Sequence, residues 1–312
     1  MRKYAGPNFR IAVVGSGAVG SYYGAKLAYF GRDVHFLVRS GLKEIRRFGI
    51  QVRAKKEGFR LAKAHAYATP EEIGPSDLVL VALKATSNDD LRVLVPPLLH
   101  EKTVILTLQN GLGNEEFLAQ NFGAERVIGG LSFICLNRTA PGQIECYDSG
   151  HIVIGEYTRY PQPRTHDLAW AFKHSGVVCR VTENLLRERW RKLVWNVPFN
   201  GLTIAAGGVT TREILTRDSL RLAALGLMEE VIAAANRSGY ELPAALALEQ
   251  MKRTEVMGAY KPSTLLDWEN GRAMEIEAIW GEPLRRARAA GAETPRLEQL
   301  YGLLQELAAR AR

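Results

Sequence analysis

The stretch RIAVVGSGAVGSYYGAKLAYFGRDVHFLVRS, residues 10–40, constrains the chain more than any other. A short apolar run predicts a strand, and Gly15, Gly17 and Gly20 follow at G-x-G-x-x-G spacing. A helix is expected from about Val19 to Phe30, with Gly31 placed to cap it. Each glycine then has a steric role, in that one makes the tight turn, one admits a pyrophosphate to the backbone and one lets helix approach strand. A lone glycine motif also fits an ordinary strand-to-helix turn. The strand before it, the helix after it and the second strand, DVHFLV, make it a dinucleotide-binding unit, with residues Gly15, Ser16, Gly17, Ala18, Val19 and Gly20 as the anion cradle.

Where such a unit selects NAD, an acid about 20 residues on grips the ribose 2'-hydroxyl. Between Val34 and Lys43 this chain has no acid. Arg39, Ser40 and Lys43 offer a guanidinium, a hydroxyl and an ammonium, which suit a phosphate dianion. The predicted cofactor is therefore NADP.

A length of 312 residues allows two domains, and 46% hydrophobic with 24% charged residues is the balance of a globular chain, neither disordered nor membrane-embedded. Basic residues exceed acidic ones by 8, but they are scattered over solvated helix faces. A small phosphorylated or carboxylated ligand explains the sign, and no aromatic and basic interleaving points to nucleic acid. Cys135, Cys146 and Cys179 lack a paired spacing for zinc or disulfides, which fits a reducing compartment. The first apolar run passes straight into glycines, so it reads as a strand and not a secretory segment, and no run is long enough for a membrane helix. The expected location is cytoplasmic.

Through about residue 155, RIAVVG, DVHFLV, DLVLVAL, TVILTL and RVIGGLSF alternate with helical stretches, and four of the five are nearly continuous apolar runs. Such runs are buried on both faces, so a doubly wound, mostly parallel α/β sheet of the Rossmann type is expected. QIECY and HIVIG, separated by DSGH, read as an antiparallel hairpin added at the edge, and residues 177–182 as the last strand. From Glu183 the periodicity is helical throughout. The expected division is a nucleotide domain over 8–182 and an all-helical substrate domain over 183–312, with ligands in the cleft where they pack.

Lys84 follows one buried strand, and Gln109, Asn110 and Gly111 follow another, at the carboxyl ends where ligands of open α/β sheets bind. Taken singly, these also fit an exposed lysine and an NG turn. In WRKLVWNVPFN, Lys192, Asn196 and Asn200 fall at i, i+4 and i+8, one polar stripe on a helix, amid Trp190, Leu193, Val194, Val197 and Phe199. Lys192 by spacing alone is one charge of a basic run; the asparagine amides need partners, and a substrate is one such partner. Pro198 is expected to kink this helix.

Together these motifs closely resemble ketopantoate reductases, the 2-dehydropantoate 2-reductase family of NADPH-dependent 2-oxoacid reductases. The resemblance runs from GSGAVG through LKA, QNGLG and WRKLVWNVPFNGLT to KPSTLLDWENGRAMEIEAIWG and GAETP. It implies a Rossmann-type domain followed by a helical one, with a small 2-oxoacid as substrate. By matching motif, Lys192 corresponds to the family's catalytic lysine and Glu275 to its catalytic-site glutamate. Asn196 and Asn200 correspond to substrate-contacting asparagines, Asn110 and Lys84 to the nicotinamide end of the cofactor, and Arg39 to the 2'-phosphate reader. Asn110 and Lys192 are expected to contact substrate as well. The family often carries two serines before MLQD; here Pro262 and Ser263 precede TLLD, a departure that leaves open whether Ser263 keeps the carboxylate contact the resemblance implies.

The expected chemistry is hydride transfer from NADPH to the keto carbon, with protonated Lys192 as general acid and Glu275 holding the lysine or a substrate hydroxyl. Two rivals stay open: a paralogue for another branched 2-oxoacid, its pocket reshaped by Pro262, Trp195 and Trp268, and a non-catalytic NADP-binding sensor. The polar set Lys192, Asn196, Asn200 and Glu275 favours an enzyme. The last helix has apolar positions enough for inward packing or a homodimer contact, and periodicity leaves both open.

Overall fold

The computed structural model describes residues 9–55 and 58–310; residues 8 and 312, the outer limits of the expected domains, lie outside the described residues. The chain forms two compact units. One comprises the chain up to Gln109 together with Asn114–Leu185, and the other comprises Asn110–Gly113 together with the chain from Leu186.

The first unit is a ten-stranded sheet: β1 (Arg10–Val14), β2 (Asp33–Leu37), β3 (Ile50–Ala54), β4 (Phe59–Leu61), β5 (His65–Tyr67), β6 (Leu78–Val81), β7 (Val104–Thr107), β8 (Val127–Ala140), β9 (Gln143–Glu156) and β10 (Cys179–Val181). The order is β4-β3-β9-β8-β7-β6-β1-β2-β5, with β10 also paired to β9. Neighbours from β8 through β7, β6, β1 and β2 to β5 run parallel. Apolar side chains alternate across this sheet, which is why the runs read as continuous. Ile11, Val13, Leu78, Leu80, Val104 and Leu106 enter one core. Ala12, Val14, Val79, Val81 and Ile105 enter another on the opposite face. This is the doubly wound Rossmann-type arrangement.

The expected QIECY/HIVIG hairpin does not form. Both segments belong to the single strand β9, which pairs antiparallel with β8 over its length. The aspartate and glycine of DSGH make a local kink instead of a reversal: the Gly150 N–H donates to Asp148 Oδ1 at 3.0 Å, and the β8–β9 register shifts opposite it, between Phe133 and Cys135. The reversal lies at Pro141–Gly142. Nor is β9 an edge, since β3 covers its first half and β10 its second.

The second unit is helical. Its main elements are Leu185–Ala205, Thr211–Thr216, Asp218–Arg237, Leu246–Glu255, Ser263–Glu269, Glu282–Ala289 and Pro295–Arg310. Trp190, Leu193, Val194, Val197 and Phe199 share one core with Leu227, Met228, Trp280, Leu297 and Leu300. The helix Leu185–Ala205 continues through Pro198 without interruption, and the Trp280 indole N–H donates to the Val197 carbonyl just before it (3.0 Å). Among the described residues, no helix is long and apolar enough to cross a membrane.

Candidate active site

In the first unit, three neighbouring parallel strands deliver the predicted nucleotide residues at their carboxyl ends. Gly15 takes φ +108°, and a Cβ there would meet the backbone of Ala82 and Leu83 at 2.6 and 2.5 Å. A Cβ on Gly20 would collide with the Gly15 carbonyl, so Gly20 sets the close approach of helix to strand. Around Gly17 there is no atom within 4 Å of the corresponding position, which leaves the loop face open. Gly17 caps the helix Ala18–Tyr29 without a side-chain bond, so the first N–H groups at Ala18, Val19 and Gly20 are available to an anion. The Ser16 side chain is turned into the protein. Its hydroxyl donates to the Leu37 carbonyl, and its own carbonyl accepts from Ser21 Oγ and Arg138 Nη1, both at 3.1 Å. Its hydroxyl is thereby engaged within the chain.

Arg39 and Ser40 follow β2 and are exposed. The acid of β2, Asp33, stands at the strand's opposite end, bound to His35 at 2.8 Å and near Arg10 at 3.8 Å. Lys84 is half-buried and precedes the turn Ala85–Ser87 after β6. An open glycine face, bare helix N–H groups and a cation in place of the ribose acid fit a dinucleotide bearing a 2'-phosphate. Gln109 is a structural amide: it accepts from Thr107 Oγ1 (2.9 Å) and donates to Asn88 Oδ1 (2.7 Å), and Asn88 donates to Asn114 (3.0 Å).

The second unit gathers the rest. Lys192, Asn196 and Asn200 occupy one stripe of Leu185–Ala205. Lys192 Nζ donates to Asn110 Oδ1 at 2.8 Å. Burial pushes the Lys192 ammonium down to about 7; the Arg189 guanidinium acts in the same direction, and the Glu275 carboxylate opposes both. The next two residues fix Asn110 in place. Gly111 takes φ +85°, and a Cβ there would collide with the Ala278 carbonyl; the same carbonyl accepts the Leu112 N–H at 2.9 Å. Ala278 lies in a π-helical turn, Glu277–Gly281, which begins just after the buried Glu275, whose carbonyl accepts the Ile279 N–H (3.1 Å). Pro283 cannot donate to the Ile279 carbonyl, which favours this widened turn. One piece of backbone thus places both Asn110 and Glu275 relative to Lys192.

The two asparagines of the stripe differ. Asn200 donates to the Asn196 carbonyl (3.1 Å) and accepts the Thr264 N–H (3.3 Å), so the chain itself supplies partners for its amide. The Asn196 side chain is buried and makes no hydrogen bond with the described residues. Ser263 is exposed, one residue before Thr264, at the start of Ser263–Glu269. Sequence reasoning missed Arg189 and Arg138. Arg189 carried a signal, its i, i+3 spacing from Lys192; Arg138 carried none. No cluster of metal-ligating side chains occurs among the described residues.

Comparison with known proteins supplies the family context. Residues 11–159 match "Ketopantoate reductase PanE/ApbA", and residues 184–308 match the C-terminal part of the same family. A 2-dehydropantoate 2-reductase of Nostoc sp. is 37% identical over 308 residues, covering 97% of this chain and 96% of the relative. The crystal structure of 2-dehydropantoate 2-reductase from Geobacter metallireducens superposes with a TM-score of 0.93 at 46% identity, covering 96% of this chain and 99% of the other. A ternary structure of D-mandelate dehydrogenase with NADH and anilino(oxo)acetate shares the fold, with a TM-score of 0.88 at 22% identity over 97% of this chain and 99% of the other.

Proposed function

The chain belongs to the ketopantoate reductase family and is an oxidoreductase, and from that membership we propose that it reduces 2-dehydropantoate to pantoate with NADPH. The cofactor is held by the loop residues 15–20, with Arg39 on the 2'-phosphate and Lys84 and Asn110 toward the nicotinamide. When bound, the reduced nicotinamide supplies a hydride to the keto carbon. Lys192 meets the charge that grows on the carbonyl oxygen and gives it a proton. A pKa of about 7 makes Lys192 a far better acid than an ordinary lysine while keeping much of it protonated near neutrality. Asn110 Oδ1 takes one ammonium N–H and so directs the others, and Glu275 keeps the pKa from falling further. Asn196 and Asn200 offer amides to the substrate, and Ser263 is the residue placed for its carboxylate, with Pro262 beside it where the family has a second serine.

The observation that carries this reading is the Lys192 ammonium bonded to Asn110 at 2.8 Å, in a chain that also has a dinucleotide loop. NADPH absorbance, followed with ketopantoate, with other branched 2-oxoacids and with NADH in place of NADPH, tests it. Rapid oxidation confined to NADPH and ketopantoate is expected. Preference for another 2-oxoacid would replace the substrate, and cofactor binding without oxidation would turn the protein into a sensor.

A further inference from the structure

We propose that the tip of the β8–β9 hairpin is a third wall of the cofactor site, with Arg138 giving its guanidinium to a cofactor phosphate; this rests on the NADPH reading above. Arg138 comes from 122 residues beyond the glycine loop, yet its Nη1 donates to the Ser16 carbonyl at 3.1 Å. A guanidinium carries five N–H donors, and this bond uses one. The side chain is half-buried, and no other hydrogen bond or acid partner among the described residues engages it. It stands beside the bare N–H groups that open the helix Ala18–Tyr29, which carry partial positive charge of their own. Like charges gathered this way lower their energy when an anion arrives between them.

The same tip also reaches the other cofactor segment. Gly41, after Arg39 and Ser40, takes φ +81°, and a Cβ there would collide with Pro141. Gln51 of β3 anchors the tip by donating its N–H to the Gly142 carbonyl at 2.7 Å. Residues 138–142 therefore touch both the glycine loop and the segment after β2.

The test is direct titration of NADPH and NADH, by nicotinamide fluorescence, into wild type, Arg138→Ala and Arg138→Lys, with the melting temperature of each cofactor-free protein. Arg138→Ala is expected to raise the NADPH Kd by about tenfold, as loss of a charged hydrogen bond does, at unchanged melting temperature, with Arg138→Lys recovering part. Equal losses for NADPH and NADH assign the pyrophosphate, and a loss for NADPH alone assigns the 2'-phosphate. A Kd within about twofold of wild type overturns the proposal. So does a weaker Kd accompanied by a lower melting temperature and not improved by lysine. Wild type that fails to bind NADPH would instead refute the cofactor reading, before any variant is compared.

Discussion

Lys192 must be an ammonium to act, and its surroundings resist that. With its pKa lowered to about 7, the general acid is lost as pH rises through that value, so kcat/KM for reduction should fall above about pH 7 in a pH profile of NADPH oxidation. The stability effect has the opposite sense. Between about pH 7 and the ordinary lysine range the unfolded chain binds the proton that the folded chain has released, so stability rises with pH across that window. Lys192→Met should therefore raise the melting temperature most at pH 6 and progressively less toward pH 10, while turnover falls by about 10²- to 10⁴-fold. Unchanged turnover would remove Lys192 from the mechanism. Arg39 makes a separable prediction: Arg39→Ala should weaken NADPH by about tenfold and leave NADH nearly untouched, read as Kd values.

At the level of elements, Gly111 is the tightest constraint on the site. Gly111→Ala would force a side chain into the Ala278 carbonyl at a φ that favours glycine, so Asn110 should shift from Lys192 and turnover drop by about tenfold or more, a larger loss than the accompanying rise in NADPH Kd. A wild-type rate would show that Asn110 does not direct the lysine. The sequence revealed the polar stripe because one helix presents Lys192, Asn196 and Asn200 on a common face. It concealed the Ala278 carbonyl and Arg138, which distant segments bring to Leu112 and Ser16. Among the strands, β1, β2, β6 and β7 were legible as apolar runs. The short β3, β4 and β5 carry polar residues, as in FRL and HAY, and were not read. In β9 a turn-like tripeptide marked a bulge, because pairing with β8 along this fourteen-residue strand outweighs one local preference.

Taken whole, the molecule has separate hydrophobic cores in its two units, and a cofactor that binds only the folded chain should stabilise it by mass action. At a free concentration a hundred times Kd, NADPH should add about 2.7 kcal/mol, visible by calorimetry, and NADH at the same concentration should add less. Equal stabilisation by both would count against the 2'-phosphate reading. The path of the chain adds a condition on how such proteins can be recombined. Asn110–Gly113 is encoded between β7 and the helix Asn114–Phe122, yet it packs with the helical unit. Its Leu112 amide meets the Ala278 carbonyl there, and its Asn110 accepts a hydrogen bond from the Lys192 ammonium. A gene fusion joining the first 185 residues of one relative to the later half of another would bring a foreign four-residue turn into the helical half. Compatibility at that turn, far from the junction, would decide whether the hybrid is active, so a working exchange should carry residues 110–113 along with the helical half.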